Sequence, residues 1–159
     1  METRKKIVIL GSTGSIGTQA LEVIAAFPEK FQLFAITANK NADLLIRQAL
    51  IYKPQKVVIT APEKYEFVKQ ALKNDHIDVL CGYNCLSEVV NYPEVYTVLT
   101  AIVGFAGLLP TISAIKAKKQ IALANKETLV VAGELITKLA HENGVDRKST
   151  RLNSSHRIR

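Results

Sequence analysis

The chain has 159 residues, 48% of them hydrophobic, and a formal net charge of +7. That length holds one domain with a real core and excludes two comfortable ones. No stretch approaches the ~20 continuous apolar residues of a membrane span, and Ile7 to Gly11 is too short for a signal-peptide core. The expectation is a cytoplasmic protein with no membrane partner.

Lys5 to Leu10 is a β-branched apolar run that predicts a strand. A glycine-rich turn comes next, and then Ile16 to Phe27 at helical spacing. Phe31 to Thr37 predicts a strand, and Asp43 to Tyr52 a helix whose apolar stripe is Leu44, Leu45, Ala49 and Leu50. Val57 to Thr60 is a short strand. Pro62 opens a helix over Glu63 to Lys73, since proline fits a first helical turn. Ile77 to Leu80 predicts a strand, Cys85 to Val90 one or two helical turns, and Val95 to Leu99 a strand that continues weakly to Val103. Leu109 to Lys118 predicts a helix with Pro110 near its start. Gln120 to Ala124 is a strand, and Glu127 to Glu142 a helix closed by Asn143-Gly144 as a C-cap.

Strand and helix thus alternate about six times, and the strands are continuous apolar runs rather than alternating ones. Strands covered by helices on both faces read this way. The fold class is α/β, a doubly wound parallel sheet.

Of the 21 basic residues, Arg147, Lys148, Arg151, Arg157 and Arg159 lie in the last thirteen positions, which leaves 16 against 14 acids, a net of +2, over residues 1–146. The body is nearly neutral, so the overall charge does not predict a nucleic-acid partner. "RKSTRLNSSHRIR" has no periodicity and almost no apolar content. It reads either as a solvated basic arm for nucleic acid or as read-through of a cloning linker or adaptor. The abrupt change after Val145-Asp146 favours the second. The expected division is a domain over residues 1–146 and a disordered, non-native tail over 147–159.

Cys81 and Cys85 form a C-x3-C pair. A zinc site needs four ligands, and only three histidines exist in the chain. Two small packing residues in a reduced compartment are expected.

"ILGSTGSIG", Ile9 to Gly17, links the first strand to the first helix, with Gly11, Gly14 and Gly17 in G-x-x-G-x-x-G spacing. Glycines there permit a tight turn and close approach of a pyrophosphate, and the new helix aims free N–H groups at the anion. Ser12, Thr13 and Ser15 are expected to add hydroxyl donors. No G-K-[ST] of a nucleoside-triphosphate loop is present. The bland alternative is a tight strand–helix turn with close packing.

An NAD-binding domain usually carries Asp or Glu near the end of its second strand for the ribose 2′-hydroxyl. This chain has Thr37-Ala38-Asn39-Lys40-Asn41 there, and Asp43 comes later. A lysine and two asparagines suit a 2′-phosphate, which predicts NADP(H). Lys40 can equally be a solvated surface lysine, and Asn41 a helix N-cap.

A second glycine-flanked link, Gly104 to Gly107, lies in "AIVGFAGLLPT", and "LANKET" ends the sixth strand. Together with "GSTGSIG", these motifs closely resemble the 1-deoxy-D-xylulose 5-phosphate reductoisomerase family, from about Lys6 to about Gly144. The resemblance implies a Rossmann-like NADP-binding domain of an NADPH-dependent, divalent-metal-dependent enzyme, typically a homodimer, of the non-mevalonate isoprenoid pathway. Such enzymes rearrange a ketose phosphate skeleton to an aldehyde and reduce that to 2-C-methyl-D-erythritol 4-phosphate.

Carried over by position, the resemblance implies NADPH contacts at Thr13, Gly14, Ser15 and Ile16. Asn39, Lys40 and Asn41 would surround the 2′-phosphate, and the family often has Gly where this chain has Asn39. Asn125 and Glu127 would lie along the nicotinamide side, and Lys126 would reach the sugar-phosphate substrate as the catalytic-site contact. The family's later "PVDSEH"-like segment, which supplies Asp and Glu to Mn²⁺ or Mg²⁺, does not occur among these 159 residues. The expectation is therefore an N-terminal fragment that binds NADPH and does not catalyse alone. Two rivals are another NADP-dependent Rossmann reductase of the semialdehyde type, which needs a reactive cysteine, and a non-enzymatic Rossmann redox sensor.

Overall fold

The computed structural model describes residues 4–102, 104–123, 141, 142, 144 and 147–149. Its strands are β1 (Lys5–Leu10), β2 (Phe31–Ala38), β3 (Lys56–Ile59), β4 (Asp78–Cys81), β5 (Val95–Thr100), β6 (Gln120–Leu123) and β7 (Arg147–Ser149). Its α-helices are α1 (Ser15–Ala26), α2 (Ala42–Tyr52), α3 (Tyr65–Leu72), α4 (Asn84–Val90) and α5 (Leu108–Lys116). The strands form one sheet in the order β4-β3-β2-β1-β5-β6-β7. Every pairing is parallel.

Why the strands read as unbroken apolar runs is visible at β1. Val8 and Leu10 pack with Leu86, Val89, Val90, Ala114 and Ile115, which belong to α4 and α5. Ile7 and Ile9 pack with Leu21, Leu45, Ala49, Val68 and Leu72, which belong to α1, α2 and α3. Successive side chains of a strand point to opposite faces, and here both faces are covered. Val8, Ile9 and Leu10 are fully buried.

From β1 the chain steps outward through β2 and β3 to β4. It then crosses back under α4 to β5, on the other side of β1. The strand order therefore reverses between β1 and β5. The carboxyl ends of the strands open a crevice at such a point.

Most element boundaries match the sequence pattern, with three differences. Pro62–Lys64 is a separate 3₁₀ turn ahead of α3, the tighter geometry common at helix starts. α5 stops at Lys116, because Lys118 takes a left-handed φ of 62°. The third difference lies past the last predicted element: Arg147–Ser149 pair with Ile121–Leu123 as a seventh strand. An edge strand offers unpaired N–H and C=O groups to any extended backbone, so this pairing needs no apolar pattern that a sequence reading could detect.

Within the expected helix 127–142, only His141 and Glu142 fall among the described residues, and both are helical. Gly144 takes φ 70°, and its N–H donates to the His141 carbonyl at 3.2 Å. That is the left-handed glycine expected at a helix end.

Candidate functional site

A cleft of about 410 Å³ opens at the carboxyl ends of β1, β2, β3 and β5. The turn after β1 lines it with Gly11, Thr13 and Gly14, and β2 brings Thr37, Ala38 and Asn39 to it. The far wall includes Tyr83 and Ala106.

The turn is held from behind. Gly11 takes φ 87°, and its N–H donates to the Thr37 hydroxyl at 2.9 Å. The Ser12 N–H donates to the Thr37 carbonyl at 2.9 Å. The Ser12 hydroxyl donates to Gln48 Oε1 at 2.7 Å, and Gln48 Nε2 donates to the Ser12 carbonyl at 2.9 Å. Ser12 is fully buried. This corrects the expectation that its hydroxyl is offered to a ligand: its N–H, hydroxyl and carbonyl all bond the protein.

Gly17 explains the third glycine of the motif. A Cβ on Gly17 would lie 2.3 Å from the Gly11 carbonyl oxygen and 2.6 Å from Ser12 Cα. The helix packs on the turn so closely that no side chain fits. Gly14 differs. Its φ of −80° and ψ of 177° are ordinary extended values, and a Cβ there would meet only the Gly11 oxygen, at 3.9 Å. The protein's own packing does not demand glycine at this position.

Gly14 is the N-cap of α1, with no side-chain cap and no acidic residue in the first turn. A helix start leaves N–H groups without intrahelical partners and carries partial positive charge. Thr13 is half-buried at the cleft, Ser15 is the exposed first residue of α1, and Ile16 is half-buried behind it.

After β2 the expected residues divide between two places. Asn39 lines the main cleft, where its Oδ1 accepts from the Thr60 hydroxyl at 2.7 Å. Lys40 and Asn41 are exposed beside it and line a neighbouring hollow of about 310 Å³ with Asp43, Glu63, Lys64 and Phe67. Asn41 caps α2, its Oδ1 accepting from the Leu44 N–H at 3.3 Å. The capping role and exposure to a ligand therefore coexist at this residue. Asn125, Lys126 and Glu127 lie outside the described residues.

On the opposite wall the Tyr83 hydroxyl donates to the Ala106 carbonyl at 2.7 Å. This joins the chain ahead of α4 to the 3₁₀ turn Gly104–Gly107. Burial pushes the Tyr83 phenol above its ordinary pKa, so it stays a neutral donor. Thr111 bonds the Gly107 carbonyl at 2.6 Å and lies 3.1 Å from the Thr100 hydroxyl, which fixes the start of α5 against β5.

Gln48, Thr37 and Tyr83 are the contributors the motifs did not flag. Gln48 had a legible signal, because it is polar yet falls on the helical stripe of Leu44, Leu45 and Ala49. Among the described residues, no three His, Cys, Asp or Glu side chains converge as a metal site.

The family model for 1-deoxy-D-xylulose 5-phosphate reductoisomerase matches residues 7–133. The chain belongs to that reductoisomerase family. It is 55% identical over 142 residues to the 1-deoxy-D-xylulose 5-phosphate reductoisomerase of Porphyromonas gingivalis, a match covering 89% of this chain and 37% of that protein. The reductoisomerase from Zymomonas mobilis, solved in complex with NADPH, superposes with a TM-score of 0.88 at 34% identity, over 94% of this chain and 39% of that one. A DOX-P reductoisomerase solved with NADPH, fosmidomycin and magnesium gives 0.85 at 36% identity, over 91% and 36%. The chain thus spans little more than a third of the length of these reductoisomerases. No helix among the described residues is long and apolar enough to cross a membrane.

Proposed function

We propose that this chain is the NADPH-binding part of a reductoisomerase that converts 1-deoxy-D-xylulose 5-phosphate to 2-C-methyl-D-erythritol 4-phosphate, and that by itself it binds NADPH without turnover. The observation that carries this reading is the start of α1. It has an uncapped glycine N-cap, no acid in its first turn, and room for a Cβ at Gly14, which would meet nothing nearer than 3.9 Å. Donors and partial positive charge meet there with room for an anion. The donor set fits the cofactor's diphosphate, with Thr13, Gly14, Ser15 and Ile16 around it.

Asn39, Lys40 and Asn41 would hold the adenosine 2′-phosphate. An ammonium and two amides favour a dianion, and a carboxylate, which would repel it, is absent from these three positions. Asn125 and Glu127 would orient the nicotinamide, and Lys126 would contact the substrate. Bound NADPH supplies the hydride. The chain's residues bind and orient it beyond the carboxyl ends of the strands.

A divalent metal is proposed only for the longer protein, because the family's "PVDSEH"-like segment does not occur among these 159 residues. The substrate is a small sugar phosphate, the assembly a homodimer and the compartment cytoplasmic, with no nucleic-acid or membrane partner. The 147–159 segment is proposed as foreign to the domain beyond its short pairing with β6.

Fluorescence titration of the purified chain with NADPH and NADH tests the reading, alongside an assay with the ketose phosphate and Mn²⁺. Preference for NADPH by about tenfold or more with no turnover is expected. Equal affinity for the two cofactors, or turnover by this chain, overturns it.

A further inference from the structure

The turn 11–15 and the segment 39–41 belong to successive strand–helix units, and any coupling between them in cofactor binding rests on the NADPH-binding role proposed for both. Two buried side chains connect them: Thr37 near the end of β2, which accepts from the Gly11 N–H, and Gln48 in α2. α2 begins directly after Asn39-Lys40-Asn41 and is capped by Asn41. About two turns further along this helix, Gln48 is 4% exposed and makes both of its hydrogen bonds to Ser12. Ser12 is the residue inside the glycine turn whose polar groups all face inward. Its N–H is held by Thr37, and its carbonyl also accepts from the Thr18 hydroxyl at 3.4 Å.

A ligand carrying a diphosphate and a 2′-phosphate on one ribose frame presents its anions at a limited range of separations. Both protein sites gain full contact only if their spacing is fixed. A carboxamide that donates to and accepts from one residue of the turn sets distance and orientation together, which an apolar contact would not do.

We propose that Gln48 is a positioning residue for the dinucleotide, holding the diphosphate-binding turn in register with the 2′-phosphate-binding segment. It touches no ligand itself. It acts through Ser12 on one side and through α2 on the other.

The test compares the chain with Gln48→Met and Gln48→Glu. Each is titrated with NADPH and with adenosine 2′-monophosphate, which reaches only the 39–41 side, and circular dichroism checks the fold. Gln48→Met is expected to raise the Kd for NADPH by about tenfold while the Kd for adenosine 2′-monophosphate changes less than about threefold. Gln48→Glu loses the donor to the Ser12 carbonyl while ionised and regains it when protonated. Relative to wild type, its NADP⁺ affinity is expected to recover between about pH 8 and about pH 5, since burial raises a carboxyl pKa. This second variant keeps the test open if the methionine form does not fold.

NADPH affinity of Gln48→Met within about threefold of wild type overturns the proposal. So does a parallel loss for both ligands, the pattern of a purely structural residue, or a pH-independent deficit in Gln48→Glu. If the unsubstituted chain binds no NADPH, the cofactor reading itself falls and the proposal falls with it. Binding by wild type with no selective loss in the variants sinks the proposal alone.

Discussion

Gln48 and Ser12 bond in both directions, the hydroxyl donating to Oε1 at 2.7 Å and Nε2 donating to the carbonyl at 2.9 Å. The two residues stand 36 positions apart in the chain. Their contact turns the inner side of the glycine turn into a fixed part of the core, while Thr13 and Gly14 face the cleft. A buried pair satisfied on both partners stabilises modestly, whereas removing one partner strands the other at a cost of about 1–3 kcal/mol. The turn is therefore held by the protein's own hydrogen bonds, with no ligand needed to form them.

The two glycines that flank the start of α1 should separate fold from binding. Gly17→Ala forces a Cβ to within 2.3 Å of a backbone oxygen, and such overpacking costs about 1–3 kcal/mol. Urea denaturation should show a clear loss of stability. Gly14→Ala meets no close atom and should cost less than about 1 kcal/mol as a poorer cap. Its effect should instead appear as weaker NADPH binding in a fluorescence titration. Equal stability losses in both would contradict this division.

Asn41 offers a cleaner cofactor test. Asp caps a helix about as well as Asn, so Asn41→Asp should leave thermal stability close to wild type. It also places a carboxylate where the 2′-phosphate is proposed to bind. Affinity for NADPH should fall by about 1–2 kcal/mol, while NADH binding holds or improves. Titration with both cofactors reads the ratio, and an unchanged preference would remove Asn41 from the site.

Lys56 and Asp78 are direct partners across β3 and β4, with Nζ 2.8 Å from the carboxylate. The hydrogen bond to Asp78 raises the Lys56 pKa above 10.5 against a smaller opposing effect of burial. A lysine whose folded pKa is raised contributes stability that is full below the unfolded value and is lost as pH climbs through the folded value. Lys56→Met should therefore cost stability at neutral pH and lose its penalty in strongly alkaline solution. Asp78 is largely exposed, so the neutral-pH cost should stay within about 0.2–1 kcal/mol. Denaturation curves at the two pH values check both sign and size.

Burial, followed by repulsion from Glu88, pushes the Cys85 thiol above its ordinary pKa of 9.0. At neutral pH it should be a thiol with little thiolate, and alkylation should be slow and accelerate as pH rises past that value. Iodoacetamide treatment at neutral pH should leave NADPH binding intact. Fast modification that abolishes cofactor binding would revive a reductase built on a reactive cysteine.

The alternation of strand and helix was legible because each strand is buried on two faces and each helix on one. Ile7 to Leu10 is a continuous, largely β-branched apolar run, the pattern of a doubly covered strand. The glycine turn was legible too, but its three glycines looked alike. Only the packed structure separates Gly17, excluded by contact with Gly11 and Ser12, from Gly14, which has room beside it. Ser12 looked like a ligand donor, since sequence gives the residue type and not the direction of its hydroxyl.

The sequence by itself determined the fold class, the location of the turn at the first strand–helix junction, and the family. Each depends on local periodicity or on short contiguous motifs. The tertiary structure decided what crosses between units: the Gln48–Ser12 bond, the hold of Thr37 on Gly11, the Tyr83–Ala106 link across the cleft, and the pairing of Arg147–Ser149 with β6. These contacts join residues distant in the chain through hydrogen bonds whose geometry exists only once the sheet has set their spacing.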